Sequence, residues 1–345
     1  MQAVVKYAEG PGNVGLREMP EPEVRPGHAI IQVEAAGICG TDLHIQSAEY
    51  PCTPPVILGH EFSGTVAETG AGVDAALRGR RVTCMPYFTT CGHCEFCRSD
   101  QPNLCAERKS VGSGVNGAFA SYVLVPERSI RLLPDSIDFV AGAVTEPLAC
   151  CVKAVFDKSV VRPGDVAVVT GPGTIGLLAA QVALAWGATV VLAGTAADAP
   201  RMALAKRLGI QHTVDVETGT AAGLVKELTG GAGAAVAYEC SGAAAGARLA
   251  IDLLKRRGQY VQIGLFGRRI EWDPDVTVLK EIDIRTTFAS TPPAWDVALR
   301  LVAEGKVQTR PLVTDLLPLS EWESGFDRFR GKQGIKHVLT PKGAA

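Results

Sequence analysis

The sequence predicts an α/β protein of two domains: a doubly wound parallel sheet and a second domain rich in β-strands. The chain has 345 residues, whereas a single hydrophobic core rarely serves more than about 250–300 residues. From about Val166 to Ile263, short apolar runs alternate with longer helical stretches, which is typical of a doubly wound parallel sheet. The first 130 residues instead carry short strand patterns without helices between them, which indicates an all-β body.

The β-rich part is divided by glycine and proline turns. Pro26-Gly27 begins its clearest strand, and further short apolar runs follow between glycines. The predicted strands are Ala29–Ala36, Phe62–Glu68, Arg81–Cys84 and Ala118–Val125.

The alternating part begins with the apolar run Val166–Thr170, a glycine-rich turn and a helix over Ile175–Trp186. Short strand-like runs and helical stretches then follow one another. The remaining strands are predicted at Thr189–Ala193, His212–Val216, Ala234–Glu239 and Gln259–Ile263, and the helices at Ala199–Leu208, Ala221–Leu228 and Ala243–Leu254.

The alternation stops after about Thr287. Helices at Ala294–Glu304 and Glu321–Arg330 and a closing strand at Lys336–Thr340 follow. We expect this segment to return to the N-terminal β domain, which makes the parallel-sheet domain an insertion. The predicted bounds are therefore 1–150 completed by 288–345, and 151–287.

The composition argues against nucleic acid or a membrane surface as a binding partner. Lys+Arg 34 against Asp+Glu 36 gives a net charge of −2, so there is no electrostatic footprint for nucleic acid or an anionic membrane. No signal peptide and no apolar run of about 18 residues is present. We therefore expect a cytoplasmic protein whose ten cysteines are metal ligands or buried thiols and not disulfides.

A mixed set of metal ligands lies between Gly37 and Glu61. Cys39, His60 and either Glu61 or Glu146 supply the three protein ligands of a catalytic zinc, which keeps its fourth position open. Adjacent residues rarely both reach one metal, so one of the two glutamates is expected in an outer position. Read singly, Cys39 is an ordinary buried thiol and His60 a core histidine; their combination with the motifs below favours zinc.

Residues beside this set suggest a proton path. Asp42 is a candidate partner for His60, because a ligating imidazole usually gives its other N–H to a carboxylate or carbonyl. Thr41 and His44 are candidates for a hydroxyl–imidazole relay that carries the proton of an alcohol to solvent.

Four more cysteines follow the spacing C-x2-C-x2-C-x7-C. They are Cys91, Cys94, Cys97 and Cys105. Such short intervals bring four sulfurs around one tetrahedral ion and leave no open position, so the segment 91–105 is predicted to hold a structural zinc. An iron–sulfur cluster and a nucleic-acid-binding zinc module are the alternatives, and the balanced charges of the lobe oppose the latter.

Gly171-Pro-Gly173-Thr174-Ile175-Gly176 is a G-x-G-x-x-G motif between a predicted strand and a predicted helix. That context is typical of a dinucleotide site, where the glycines permit a tight turn and close approach of the pyrophosphate to the backbone.

The acid expected about twenty residues later, on the ribose hydroxyls of NAD, is replaced by Gly194-Thr195. Its loss removes repulsion against a 2′-phosphate that Thr195 and Arg201 could hold, which modestly favours NADP. Alternatively, Asp198 folds back to the ribose and the cofactor is NAD.

Together these motifs resemble the zinc-dependent medium-chain dehydrogenase/reductase family over essentially the whole chain. Glu146 in Thr145-Glu-Pro-Leu148 resembles the polyol (sorbitol, iditol) dehydrogenase branch. The resemblance implies a GroES-like catalytic domain, a Rossmann domain, a catalytic zinc on Cys39, His60 and Glu61 with Glu146 on or close to the metal, and a homodimer or homotetramer.

The predicted activity is reversible oxidation of a secondary alcohol of a polyol or sugar-like substrate to the ketone, with hydride passing to NAD(P). A threonine- or amino-alcohol-type dehydrogenase on the same scaffold is the alternative within enzymes. A non-catalytic zinc- and nucleotide-binding protein is the alternative outside them.

Overall fold

A computed structural model describes residues 1–341 of the chain. The chain divides into two compact units. The first comprises Met1–Glu146, Thr291–Ala303 and residues 309–341; the second comprises Pro147–Ser290 and Glu304–Gln308. This division differs from the predicted bounds at residues 147–150, 288–290 and 304–308. As functional domains, those bounds stay a prediction.

The first unit is built mainly from antiparallel strands. A seven-stranded sheet has the order β10-β6-β5-β3-β18-β17, with β9 paired to β3; a three-stranded sheet has the order β2-β1-β4, and β7 pairs with β8. The elements up to Phe156 are β1 (Gln2–Lys6), β2 (Val14–Glu18), β3 (His28–Gly37), α1 (Gly40–Gln46), β4 (Val56–Ile57), β5 (Glu61–Thr69), β6 (Arg81–Cys84), β7 (Tyr87–Thr89), α2 (Glu95–Arg98), β8 (Lys109–Ser110), β9 (Tyr122–Pro126), β10 (Ile130–Leu132), α3 (Phe139–Ala143) and α4 (Thr145–Phe156).

The strand predicted over Ala118–Val125 is shorter in the structure, because its first part bonds elsewhere. The N–H groups of Ala118 and Phe119 donate to the carbonyls of Gly59 and Leu58 at 2.9 Å each. A buried cluster of aliphatic side chains with Phe62, Phe119 and Phe326 lies beneath these segments. The backbone next to His60 is therefore fixed from a distant part of the chain.

The second unit is a six-stranded parallel sheet in the order β13-β12-β11-β14-β15-β16, with helices between its strands. The predicted parallel sheet is confirmed. Its elements are β11 (Val166–Thr170), α5 (Thr174–Ala185), β12 (Thr189–Gly194), α6 (Ala199–Arg207), β13 (His212–Asp215), α7 (Ala221–Leu228), β14 (Ala234–Glu239), α8 (Ala244–Leu253), β15 (Leu254–Gln262), α9 (Pro274–Lys280) and β16 (Asp283–Thr286).

The sheet is buried on both faces, so its central strands are continuous apolar runs: all five residues of β11 are buried. Strand β15 begins five residues before the predicted Gln259. In its early part, Arg257 has a positive φ of 58° and the pairing with β14 shifts in register. These irregularities explain why the sequence pattern did not indicate the start of the strand.

The C-terminal segment returns to the first unit as predicted. It contains α10 (Pro292–Ala303), β17 (Val313–Pro318), α11 (Trp322–Arg330) and β18 (Lys336–Thr340). Strand β18 pairs antiparallel with β3, Leu339 opposite Ala36 and Val338 opposite Gly37. Strand β17, which was not predicted, lies parallel to β18 at the edge of this sheet.

Candidate active site and cofactor site

Two neighbouring strands bring the mixed ligand set together. Strand β3 ends at Gly37, directly opposite Glu61, the first residue of β5. Cys39 stands just after β3 and His60 just before β5. The ligand atoms of Cys39, His60 and Glu61 all lie within 4.8 Å of one another. Residues that are about twenty positions apart in sequence thus form one cluster, named here the mixed cluster.

Asp42 ties the two ligand-bearing segments to each other. Its side chain is fully buried and accepts hydrogen bonds from the backbone N–H of Cys39 at 2.8 Å and of Gly59 at 3.3 Å. Its Oδ1 is 3.8 Å from Nδ1 of His60, beyond hydrogen-bond range. Burial raises the pKa of Asp42. The predicted direct hydrogen bond to His60 is therefore absent here, and Asp42 positions the backbone instead.

Lys336 is a member of the site that sequence reasoning missed. Its Nζ pairs with Oε2 of Glu61 and donates to the carbonyl of Ile38 at 2.7 Å. Both side chains are buried, 2% exposed for Lys336 and 0% for Glu61. Burial lowers the pKa of Lys336, but the charges of Glu61 and Cys39 outweigh this and raise it. Lys336 is therefore held in its protonated form beside this carboxylate, and the cost of burying both groups is offset only while both partners remain.

Gly37 makes room for this ion pair. A Cβ atom at this position would lie 2.5 Å from Oε2 of Glu61 and 2.8 Å from Cε of Lys336. Any larger residue would push the two charged groups apart. Gly37, at the start of the segment that bears the metal ligands, thus has a packing role.

The electrostatics of the mixed cluster suit a cation. Burial lowers the pKa of His60, but the neighbouring Cys39, Asp42 and Glu146 outweigh it and raise that pKa well above its ordinary value. Oε1 of Glu61 is buried without a hydrogen-bond partner among residues 1–341. A thiol, an imidazole and a carboxylate with an unpartnered oxygen fit a zinc site that keeps a position open.

Glu146 lies near this cluster but outside its tightest group. It sits in the first turn of α4 and is 6% exposed. Its charge raises the pKa of His60. Among the described residues, however, it does not belong to the set whose ligand atoms lie within 4.8 Å. Glu61 is thus the glutamate that is grouped with the thiol and imidazole, and direct ligation by Glu146 stays a prediction.

The predicted relay residues lie on α1. Oγ1 of Thr41 is 3.7 Å from Sγ of Cys39. Nδ1 of His44 is 2.7 Å from Oε2 of Glu49, a half-exposed carboxylate that the sequence analysis did not single out. A hydroxyl beside the metal ligands and a histidine–carboxylate pair at the surface are thus present on one short helix. The proton path through them stays a prediction.

The four-cysteine lobe is also assembled. The sulfur atoms of all four residues lie within 4.8 Å of one another. Backbone N–H groups point at the sulfurs: that of Cys94 at Sγ of Cys91, 3.3 Å, and that of Cys91 at Sγ of Cys105, 3.4 Å. All ten cysteines carry free thiols and lie within the described residues. This donor set fits a closed tetrahedral zinc site.

The thiols of the lobe differ in pKa. Hydrogen bonds from the backbone N–H groups of His93 and Cys94 lower the pKa of Cys91 to about 6, whereas burial raises that of Cys97 to about 11. Because the thiolate is the metal ligand, Cys91 is a ligand already prepared near neutral pH.

Each glycine of the nucleotide motif has a distinct reason to be there. Gly171 has a φ of +90°, and its Cβ would lie 2.7 Å from Cα of Ser241. A Cβ on Gly176 would lie 1.8 Å from the carbonyl oxygen of Gly171, whereas one on Gly173 would meet nothing within 4 Å. Gly173 precedes α5, so the open space lies at the start of that helix, where a pyrophosphate is expected to bind. Thr174 and Ile175 form its first turn.

The end of β12 explains the missing acid. A Cβ on Gly194 would lie 2.8 Å from Cγ of Pro172, inside the glycine motif. Asp198 folds back instead: its carboxylate accepts hydrogen bonds from the N–H and hydroxyl of Thr195 and pairs with Arg201. The two residues predicted to hold a 2′-phosphate therefore share one carboxylate.

Glu239 is another residue that sequence reasoning missed. It is fully buried at the end of β14. Its oxygens accept hydrogen bonds from the N–H of Ser241 at 2.8 Å and from Nε2 of Gln262 at 2.8 Å. Since Ser241 packs against Gly171, Glu239 fixes the wall of the glycine turn. A lone glutamate at the end of an apolar strand gave no signal of this role.

Comparison with known proteins agrees with this geometry. The alcohol dehydrogenase GroES-like domain family matches residues 25–135, and the zinc-binding dehydrogenase family matches residues 174–304. A sorbitol dehydrogenase from Halalkalibacterium halodurans is 42% identical over 99% of each chain. The chain belongs to the zinc-binding dehydrogenase family. A D-arabitol-phosphate dehydrogenase from Enterococcus avium is 39% identical, over 98% of this dehydrogenase and 97% of the relative.

A solved structure is also similar to this dehydrogenase. The zinc-binding dehydrogenase from Sinorhizobium meliloti 1021 bound to NADP superposes with a TM-score of 0.89 at 33% identity, over 99% of each chain. The GroES-like and Rossmann folds and the resemblance to the polyol branch are thereby confirmed. This dehydrogenase is an oxidoreductase that uses zinc and NAD(P).

Proposed function

We propose that this dehydrogenase reversibly oxidises a secondary alcohol of a polyol or sugar-like substrate to the ketone, with hydride passing to NAD(P). The observation that carries the proposal is the convergence of Cys39, His60 and Glu61 within 4.8 Å. Its similarity to a sorbitol dehydrogenase and a D-arabitol-phosphate dehydrogenase supports the substrate class.

Cys39, His60 and one of the two glutamates would hold the catalytic zinc, and Cys91, Cys94, Cys97 and Cys105 the structural one. A zinc ion with an open position lowers the pKa of a bound hydroxyl group and polarises a carbonyl. The protein keeps the donor set in place: Asp42 fixes the backbone of Cys39, and Lys336 holds one oxygen of Glu61. Lys336 thereby balances the negative charge of that carboxylate.

Proton release needs a path from the buried site to water. The hydroxyl of Thr41 lies beside the thiol of Cys39, and His44 is 30% exposed and bonded to Glu49. In this path the hydroxyl of Thr41 accepts the alcohol proton as it donates its own proton to the imidazole of His44, and His44, oriented by Glu49, releases that proton to water. Glu146, buried close to His60, would hold a water molecule on a second route.

A substrate panel tests the proposal. Purified protein with zinc is assayed with sorbitol, arabitol, other sugar alcohols, polyol phosphates and L-threonine, each with NAD and with NADP. The expected result is activity on sugar alcohols or their phosphates and little on L-threonine. Turnover of L-threonine alone would replace the proposal with an amino-alcohol dehydrogenase. Absence of nicotinamide binding would identify a non-catalytic protein.

Metal content separates the same alternatives. Two zinc ions per chain are expected by elemental analysis, one of them lost when Cys39 is replaced by serine. One zinc per chain in the wild type would contradict a working mixed cluster.

We further propose a cytoplasmic homodimer, with a homotetramer as the larger alternative. Free thiols at all ten cysteines support a reducing compartment. None of the described helices is long and apolar enough to cross a membrane.

Strand β16 is at the edge of the parallel sheet, with Ile284 45% exposed and, nearby in sequence, Val278 and Leu279 about 70% exposed. An unpaired edge with apolar side chains favours pairing with a second copy; light scattering of Ile284→Lys should then show a monomer.

A further inference from the structure

The carboxylate of Asp198 accepts three hydrogen bonds from two neighbouring residues. Its Oδ2 accepts from the backbone N–H of Thr195 at 3.1 Å and from the Thr195 hydroxyl at 3.0 Å. Its Oδ1 accepts from Nη1 of Arg201 at 3.1 Å. The side chains of Asp198 and Arg201 are only 17% and 16% exposed. The carboxylate is thus held in one place by three donors, one of them charged.

These donors are the kind that proteins use for phosphate. A main-chain N–H, a hydroxyl and a guanidinium together bind the oxygens of a phosphate group. Here the same set already surrounds a carboxylate. The side chain of Asp198 therefore imitates, from within the chain, the anion that Thr195 and Arg201 would otherwise receive.

The turn that contains Thr195 and Asp198 lies next to the glycine motif, where the cofactor is expected to bind. The N–H of Gly171 donates to the carbonyl of Ala193 at 2.9 Å, and Pro172 leaves no room for a side chain at Gly194. Thr195 therefore directly follows the residue that packs against the glycine turn. In doubly wound sheets this is where the adenosine ribose binds, beside the end of the second strand.

We propose that Asp198 sets the choice between NAD and NADP by filling, with its own carboxylate, the donors that a 2′-phosphate needs. The inference rests on the NAD(P)-linked function proposed above. A ribose 2′-hydroxyl can donate to the carboxylate and leave its bonds intact. A 2′-phosphate must displace the carboxylate from Arg201 and remain beside a like charge, so the wild-type protein favours NAD.

Binding of two small nucleotides tests this without turnover. Calorimetry on the full-length protein measures 5′-AMP, which has the ribose hydroxyl, against 2′,5′-ADP, which has the phosphate. The wild type should bind 5′-AMP at least as tightly. Asp198→Asn keeps the shape and one acceptor but removes the charge, and it should tighten 2′,5′-ADP relative to 5′-AMP about tenfold, the size of one charge-assisted hydrogen bond.

Two further variants show which groups act. Arg201→Ala added to Asp198→Asn should cancel the gain, because the released guanidinium is the group that receives the phosphate. Thr195→Asp adds a second carboxylate at the same turn and should move the ratio further toward 5′-AMP.

Asp165→Asn is the matched control. It removes one negative charge from the same unit: Asp165 accepts the N–H of Arg162 at 2.9 Å at the N-terminal end of β11, whereas Thr195 follows the C-terminal end of β12. Its binding ratio should equal that of the wild type.

Wild-type protein that binds 2′,5′-ADP tenfold tighter than 5′-AMP would overturn the inference. So would an unchanged ratio in Asp198→Asn with 5′-AMP binding intact, and this outcome leaves the dehydrogenase function standing. Binding of neither nucleotide by any variant would overturn the cofactor function as well. If Asp198→Asn does not fold, the wild-type ratio and Thr195→Asp decide.

Discussion

The mixed cluster and the four-cysteine lobe are both candidate zinc sites in one unit, yet they are built differently. The lobe takes its four ligands from 15 consecutive residues, 91–105, and surrounds them with nearby backbone N–H groups. The mixed cluster takes its ligands from the ends of two strands and its counter-ion from a third, β18. A local loop suffices to close a metal site, whereas an open site needs the tertiary structure to hold its ligands apart.

The comparison predicts its largest effect at Cys39. Cys39→Ser should lower kcat by roughly a thousandfold or more, because the alcohol loses its polarising ion. The thermal unfolding temperature should change little, since the surrounding sheet remains. Calorimetry and steady-state kinetics on the same sample measure both. A loss of folding equal to that of a lobe mutant would break the distinction between the two sites.

Replacing Lys336, which pairs with Glu61 of the mixed cluster, should lower the free energy of unfolding of the protein. Lys336→Met leaves the carboxylate of Glu61 buried without its partner, which costs about 3–5 kcal/mol. Chemical denaturation measures the change.

The second variant Lys336→Met with Glu61→Gln separates charge from packing. It should recover much of the lost stability, because no uncompensated charge remains. An unaltered loss in the double variant would show that Lys336 acts by packing alone.

In the lobe, Cys97→Ser should mainly affect folding. It removes one of four ligands, so the unfolding temperature should fall by on the order of 5 °C, while the kcat of the protein that remains folded stays within a fewfold of wild type. Zinc analysis should show one ion per chain. Complete loss of kcat in well-folded Cys97→Ser would contradict a purely structural metal.

Lowering the pH should have the smallest and most gradual effect, a progressive release of zinc from the four-cysteine lobe. Because the lobe binds metal through thiolates, zinc affinity falls as the pH falls and the ligands take up protons. Without metal, the pKa of Cys91 is lowered to about 6, and a bound cation lowers the pKa of its thiol ligand further, so zinc should be released only below that pH. A chromogenic chelator follows zinc against pH. Cys91→Ser should move the release to higher pH; an unchanged profile would show that Cys91 does not control it.

Local patterns predicted much of this molecule. The spacing of the four cysteines, the glycine motif and the pairing of Cys39 with His60-Glu61 are short-range signals, and the structure brings each set together. The parallel sheet followed from alternation of apolar and helical runs, because both faces of its strands are buried.

Long-range partners were not predictable in the same way. Lys336 is 275 residues from Glu61 and looks like any lysine at the start of a strand. Glu239 works through bonds to a turn whose shape the sequence does not reveal. Asp42 was expected to bond His60, but its oxygens are taken by backbone N–H groups instead. Each depends at least partly on a segment distant in sequence, such as Gly59 for Asp42 and Gln262 for Glu239, and local propensity gives no information about such partners.

The strand that bears Lys336 has a consequence for the order of folding. Lys336 follows Glu61 by 275 positions, and the whole parallel sheet lies between them in sequence. Until β18 pairs with β3, Glu61 has no lysine beside it, and the pocket around this carboxylate cannot close without isolating a negative charge. The β domain therefore completes its folding only after the segment that follows the parallel sheet has returned to it.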